Sequence, residues 1–240
     1  MSFKDVNSFY KSKDWESFRQ IVIEERTTAD GYVHCAICGK PILKKYDLIL
    51  HHKKELTDLN VLDVNISLNP DNVECVHFQC HNKIHERFGY NKTSVHTYTP
   101  KHVYIVYGAP LSGKTTWVHS VATPDDLVVD MDSIWQMVSV NERYSKPNSL
   151  KSVVFDIRDK LYDIIKYRSG KWTNAFIIFG GAMKGDRERL KQRVSADEFI
   201  FIDTTESECM NRLKDRMIDD DHKAEQVRWI EEWFERYQPD

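Results

Sequence analysis

Cys35 and Cys38 are separated by two residues and followed by Gly39, a spacing at which two thiolates can face one ion while glycine permits the turn behind them. Such a pair is half of a structural zinc site. Cys80 offers a third ligand. The fourth is His77, which repeats the two-residue gap, or Cys75, with four residues between; the repeated gap favours His77. Between these ligands lie His51 and His52, then Asn72 after Asn69-Pro70-Asp71, then His81 and His85. On a helix running from Cys80, His81 and His85 share a face, as two imidazoles holding one divalent ion must. On a strand, adjacent side chains point oppositely, so one of His51 and His52 can join that ion while the other stays free as a base near neutral pH. Lys44, Lys45, Lys53, Lys54 and Lys83 are candidate phosphate contacts around this set.

A different chemistry starts at Gly108. The run Gly108, Ala109, Pro110, Leu111, Ser112, Gly113, Lys114, Thr115 is a complete GxxxxGK[ST] loop between an apolar strand and a helical stretch that opens with Thr116. Backbone N–H groups of such a loop surround phosphates, the lysine reaches the terminal phosphates and the threonine ligates Mg²⁺. Asp130 and Asp132 close the next apolar run, at the edge where open α/β sheets collect ligands, so one or both face the phosphates, Asp130 as a second metal ligand. Capping of the following helix by Asp132 or Ser133 is the plainer alternative. Arg212 and Arg216 are four apart and are candidates to converge on transferred phosphate; Arg187, Arg189 and Arg193 read as another basic helix face.

The elements that must hold these residues differ between the two halves. Seven of the ten histidines (His34, His51, His52, His77, His81, His85, His96) precede residue 100, as do all the cysteines except Cys209, which reads as a buried thiol. That first region offers a helix near 14–25, the cysteine knuckle, a strand at 48–50, a long loop and a helix from Cys80. From residue 103 onward, short apolar runs at 103–107, 127–129, 175–179 and 199–202 alternate with helix-like sequence, the pattern of a parallel sheet flanked by helices. The expected organisation is a small zinc-stabilised domain over 1–90, a polar linker at 91–101 and an α/β domain over 102–240. No run approaches the roughly 18 apolar residues of a membrane span, and the charged N-terminus does not resemble a signal peptide, so the expectation is an intracellular protein without membrane contact. A net charge of −3 excludes attraction to nucleic acid through overall field; any such contact must use local patches and metal ions.

The stretches FYKSKDWESFR, CAICGKPI, ILHHKKEL, LNPDNVE and CHNKIH occur in the order found in HNH, or ββα-metal, nucleases, and over residues 9–87 the sequence resembles phage-type members of that family. The resemblance implies that His52 is the general base, that His51, His81 and His85 hold a catalytic Mg²⁺ or Mn²⁺, and that Asn72 positions the loop bearing the base. His77 departs from the cysteine usual in zinc-bearing relatives. The second half, through GAPLSGKT, VVDMD, GGAMKGDRERL and FIDTTESECMNRLKDR, resembles P-loop kinases of the polynucleotide-kinase and zeta-toxin type. That resemblance implies ATP, or GTP, as the nucleotide, Asp132 as activator of an acceptor hydroxyl, and Arg212 or Arg216 in a lid. Trp135 stands where polynucleotide kinases often carry arginine. The combined expectation is a phage- or bacterium-encoded enzyme that cuts nucleic acid, DNA ahead of RNA, and phosphorylates 5′-hydroxyl ends. The alternatives are a nuclease regulated by an ATPase domain and a zinc-stabilised binding module that does not cleave.

Overall fold

The structure, a computed structural model, describes residues 3–85, 100–140, 146–216 and 219–240. The chain divides into two compact units, Met1–Pro100 with Tyr167–Gly170, and Lys101–Lys166 with Lys171–Asp240. The expected linker at 91–101 lies outside the described residues except for its last two positions.

In the first unit, α1 (Val6–Tyr10) is closed by a capping box in which Asp5 and Ser8 satisfy each other's backbone N–H groups. Ser12 caps α2 (Lys13–Arg26), accepting from Trp15 N, and α2 turns Phe18 and Val22 into the core beside Phe9. Strand β1 (Leu48–His52) pairs antiparallel with β2 (Val73–His77), His51 opposite Glu74 and Leu48 opposite His77. A short α3 (Val64–Ser67) lies in the connection, and α4 (Phe78–Ile84) leaves β2 directly, with His77 as its N-cap residue. Residues 73–77 are thus a strand within the stretch read as a long loop. Val73, Cys75 and Val76 are all buried, so both faces are covered and the polar alternation that marks a half-exposed strand is missing.

The second unit contains β3 (His102–Tyr107), α5 (Lys114–Val121), β4 (Leu127–Asp130), α6 (Met131–Val138), α7 (Lys151–Lys166), β5 (Asn174–Phe179), α8 (Lys184–Val194), β6 (Glu198–Phe201), α9 (Glu206–Lys214) and α10 (Asp220–Arg236). The strands are parallel in the order β4-β5-β3-β6. Each spans the expected apolar run to within one residue. Val103, Ile105, Val129 and Ile177 fill one core with Val154 and Ile165 of α7, while Val106, Phe176 and Val118 of α5 fill another. Burial on both sides explains why these strands read as continuous apolar runs. This α/β arrangement brings the loop after β3 and the end of β4 to the carboxyl edge of the sheet.

Three local details bear on these expectations. Asp130, not Asp132 or Ser133, is the N-cap of α6, its carboxylate accepting from Asp132 N at 3.1 Å. α9 ends at Lys214 with Asp215 as its cap, so Arg216 lies just past the helix that carries Arg212, its N–H bonded to the Leu213 carbonyl at 3.1 Å. Arg187 is fully buried, donating to the carbonyls of Gly181 (2.7 Å) and Gln238 (2.6 Å) and to Asp240, whereas Arg193 pairs with Asp163 and Arg189 with Asp186. Those three arginines form no common basic face. Among the described residues no helix is long and apolar enough to cross a membrane.

Candidate metal centres and nucleotide-binding loop

The knuckle is built by the turn at 35–39 and the junction of β2 with α4. Ala36 N donates to the Cys75 carbonyl at 2.9 Å and Cys35 N to the Lys40 carbonyl at 3.0 Å, which pins the turn against β2. Ligand atoms of Cys35, Cys38, His77 and Cys80 all lie within 4.8 Å of one another. Thiolates bound to one tetrahedral zinc are roughly 3.8 Å apart, so the set fits that ion. His77 also shows the orientation of a ligand: Nε2 faces the Pro41 carbonyl at 3.3 Å, which requires its hydrogen there, and Nδ1 turns its lone pair to Cys38 Sγ at 3.5 Å. Burial raises the Cys35 thiol, but the backbone N–H groups of Cys38, His77 and Ile37 outweigh it and bring the thiol below its ordinary range. Cys80 moves up, through burial and the neighbouring thiols. A cluster that stabilises one thiolate and resists a second is one that a cation completes. Cys75, the other candidate, is buried on β2 outside the cluster, and burial raises its thiol.

The second cluster joins the end of β1 to α4. Ligand nitrogens of His51, His81 and His85 lie within 4.8 Å of one another, with His81 Nε2 and His85 Nε2 3.2 Å apart. Two nitrogens on one ion are separated by roughly 3.4 Å, so this set also fits a metal. His85 is the C-cap residue of α4, still close enough to helical geometry to keep its place one turn from His81.

His52, next on β1, is not part of this cluster and turns to the aromatic side chains of α1 and α2. Its ring stacks on Trp15 at 5.3 Å and meets Phe9 and Tyr10 edge-on. Nε2 lies 3.0 Å from the Ser67 carbonyl oxygen. A carbonyl only accepts, so Nε2 carries the hydrogen and Nδ1 the lone pair. Burial pushes this imidazole down to about 4, the Ser67 carbonyl opposing, so the ring is neutral in the physiological range. Asn72, fully buried, ties this region together: its Nδ2 donates to Ile66 O (2.7 Å), its Oδ1 accepts from Lys54 N (3.0 Å) and its carbonyl from Lys53 N (2.8 Å). The end of β1 is thereby fastened to the segment that presents the Ser67 carbonyl. A pocket of about 180 Å³ is lined by Val6, Tyr10, Leu50, His51, His52, Glu55, Leu56, His81 and His85.

In the second unit the loop after β3 closes on itself. Lys114 Nζ donates to the carbonyls of Gly108 (2.9 Å) and Ala109 (2.6 Å) and toward Ser112 Oγ (3.5 Å). Burial lowers the Lys114 ammonium to about 8, with Cys209, Asp130 and Asp132 working against it. A Cβ at Gly108 would meet the Ile202 carbonyl at 2.8 Å, which leaves glycine as the residue that fits. Gly113 caps α5 with φ 102°, and Leu111 has φ 65°, a left-handed conformation costly for a side-chain-bearing residue. Thr115 and Thr116 follow on the first turn of α5. Arg212 donates to the carbonyls of Leu111 (2.9 Å) and Ser112 (2.7 Å), and Thr204 Oγ1 to the latter at 3.0 Å. Arg212 therefore braces the loop from behind. Asp132 is bound by Lys146 Nζ at 2.7 Å, a partner from beyond α6 that no local pattern reveals. Trp135 is buried in the core.

Residues 35–87 match the HNH endonuclease family, and residues 103–237 match a family described as an AAA domain. A protein of Lactococcus phage SK1 described as a probable HNH endonuclease is 36% identical over 77 residues, 32% of this chain and 74% of the relative. The chain belongs to the HNH endonuclease and AAA domain families. The HNH match contains both histidine and cysteine clusters; the AAA match contains the phosphate loop, Asp130, Asp132, Lys146 and Arg212. The HNH match starts at residue 35 and so leaves out Tyr10 and Trp15, which pack on His52. Both lie in the FYKSKDWESFR stretch that carries the resemblance, but the sequence assigns them no role, because an aromatic residue some forty positions from a histidine carries no spacing signal. A chain in the solved Pnkp1/Rnl/Hen1 RNA repair complex is 16% identical with a TM-score of 0.44, covering 59% of this chain. The match spans 48%, about half, of that chain's length.

Proposed function

We propose that this protein is a nucleic-acid-processing enzyme with two active centres, a metal-dependent HNH endonuclease and a P-loop kinase that phosphorylates 5′-hydroxyl ends, with DNA as the preferred substrate. The observation that carries the nuclease is the meeting of His51, His81 and His85 at one point while His52 lines the same pocket with its lone pair on Nδ1. Cys35, Cys38, His77 and Cys80 would hold a structural zinc, and the three histidines a catalytic divalent ion. Three imidazole ligands favour first-row ions such as Mn²⁺ over Mg²⁺. When bound, that ion supplies stabilisation of the negative charge that grows on the phosphoryl and leaving oxygens.

The protein's own residues do the rest. His52 is held by the Ser67 carbonyl in the tautomer that leaves a lone pair on Nδ1, and its burial keeps it neutral, so it is able to take up the proton that the attacking water loses. Asn72 holds the two segments that fix this orientation. In the second centre, Lys114, now bonded to loop carbonyls, would bind the nucleotide phosphates, Thr115 and Asp130 would hold the Mg²⁺, and Asp132 would orient the acceptor hydroxyl. Arg212 holds the loop's shape through its carbonyls.

Plasmid incubated with Mn²⁺ and the full chain should be cut, and His51→Ala should lose cutting while keeping stoichiometric zinc. A 5′-hydroxyl oligonucleotide with terminally labelled ATP should become labelled. ATP hydrolysis without label transfer would replace the kinase by an ATPase regulator; absence of cutting with every first-row ion would remove the nuclease.

A further inference from the structure

Tyr10 ends α1, and its hydroxyl lies 3.3 Å from Nδ1 of His52. With Nε2 committed to the Ser67 carbonyl, Nδ1 has only a lone pair to offer, so the hydrogen between Tyr10 and His52 belongs to the phenol. Tyr10 lines the pocket that also contains His51, His81, His85 and Glu55. The residue is 45% exposed although its ring packs against Phe9 and Trp15, so the side chain is fixed on one side and open on the other. A phenol oxygen that has donated its hydrogen keeps lone pairs for a further donor.

We propose that Tyr10 is a proton relay between the attacking water and His52, a role that rests on the nuclease reading of the same pocket. As the water oxygen forms its bond to phosphorus, its proton passes to the Tyr10 oxygen while the Tyr10 proton passes to Nδ1 of His52. The ester P–O bond breaks and the leaving oxygen takes its electron pair. Tyr10 begins and ends as a neutral phenol, and His52 holds the one proton removed. Burial first, and the Glu55 carboxylate second, hold the Tyr10 phenol above its ordinary range, which disfavours a standing phenolate and suits a group that passes a proton without keeping one. The aromatic contacts with Phe9 and Trp15 supply the rigidity that such a relay needs.

The test is Tyr10→Phe in the full chain with bound zinc, beside wild type and His52→Ala, in single-turnover plasmid cleavage with Mn²⁺. The ring and its packing survive in Tyr10→Phe; only the hydroxyl is lost. The relay predicts a cleavage rate about tenfold lower or more, the worth of one ordinary hydrogen bond in the transition state, with KM unchanged. Rates in mixtures of H₂O and D₂O should bow downward for wild type, where two protons move together, and fall on a straight line for Tyr10→Phe. Wild-type cleavage rate in Tyr10→Phe, a change confined to KM, or the same bowed dependence in both proteins would overturn the relay while leaving the nuclease standing. Failure of wild type itself to cleave would remove the nuclease reading and the relay with it.

Discussion

The two units gather charge by opposite means. The first collects side chains: four ligands around one point and three imidazoles around another, each placed by where a strand ends and a helix begins. The second collects backbone: the loop from Gly108 to Gly113 has its carbonyls held by Lys114, Arg212 and Thr204, and its N–H groups lead into α5. A side-chain centre depends on residue identity and fails when one ligand is lost. A backbone centre depends on local conformation and tolerates change wherever φ and ψ are preserved.

This contrast is most easily broken at the knuckle. Replacing Cys35 and Cys38 together by serine should abolish zinc binding, worth about 10–16 kcal/mol in small zinc modules and comparable to the stability of a whole domain, about 5–15 kcal/mol. The first unit should unfold, seen as loss of stoichiometric zinc and of cleavage, while label transfer from ATP persists. Retention of cleavage would show that the cluster does not carry the unit's stability. A smaller loss is expected from Asn72→Ala, which leaves the Lys54 N–H and the Ile66 carbonyl without their buried partner. The expected destabilisation is about 1–3 kcal/mol, with slower cleavage at unchanged zinc content. An unaltered urea midpoint would remove Asn72 from this role.

The backbone centre responds to pH through Lys114. Its folded value of about 8 lies below the ordinary 10.5, so between the two the unfolded chain binds the proton that the folded loop releases, and this group's contribution to stability rises with pH. Phosphate charges restore the ammonium, so nucleotide binding should take up a proton near about pH 9 and none near about pH 6.5. Calorimetry in buffers of different ionisation heat measures this, and equal uptake at both values would contradict it. The smallest effect is expected at Leu111. Glycine there removes the strain of φ 65° but adds freedom to the unfolded chain, so Leu111→Gly should stay within about 1 kcal/mol of wild type and keep nucleotide binding. A larger loss in thermal unfolding would give the Leu111 side chain, which packs beside Ala109 and Cys209, a greater part in the core.

The same contrast decides what could be read from sequence. Ligand spacing is written in residue types, so Cys35, Cys38, Cys80, His81 and His85 were legible, and strand alternation accounts for His51 joining the metal cluster without His52. The phosphate loop was legible because glycines mark its turns. Contacts between distant positions left no such mark. Tyr10 and Trp15 reach His52, Lys146 reaches Asp132, and buried Arg187 reaches Asp240 through tertiary packing alone. Charged residues are seldom fully buried, so Arg187 read as surface. Nothing in the Lys214-Asp215-Arg216 run signals that α9 stops before Arg216. The choice of His77 over Cys75 left open by spacing is answered in geometry by the junction of β2 and α4, which turns His77 toward the knuckle and buries Cys75 in the strand.

That the chain carries two separate active centres is tested most directly by giving wild type, His52→Ala and Lys114→Ala the same mixture of plasmid, 5′-hydroxyl oligonucleotide, Mn²⁺, Mg²⁺ and terminally labelled ATP. The predicted result is cleavage lost only in His52→Ala, by roughly a hundredfold or more, and label transfer lost only in Lys114→Ala. Loss of both activities in either variant would contradict two independent centres, and full cleavage by His52→Ala would overturn the assignment of the base.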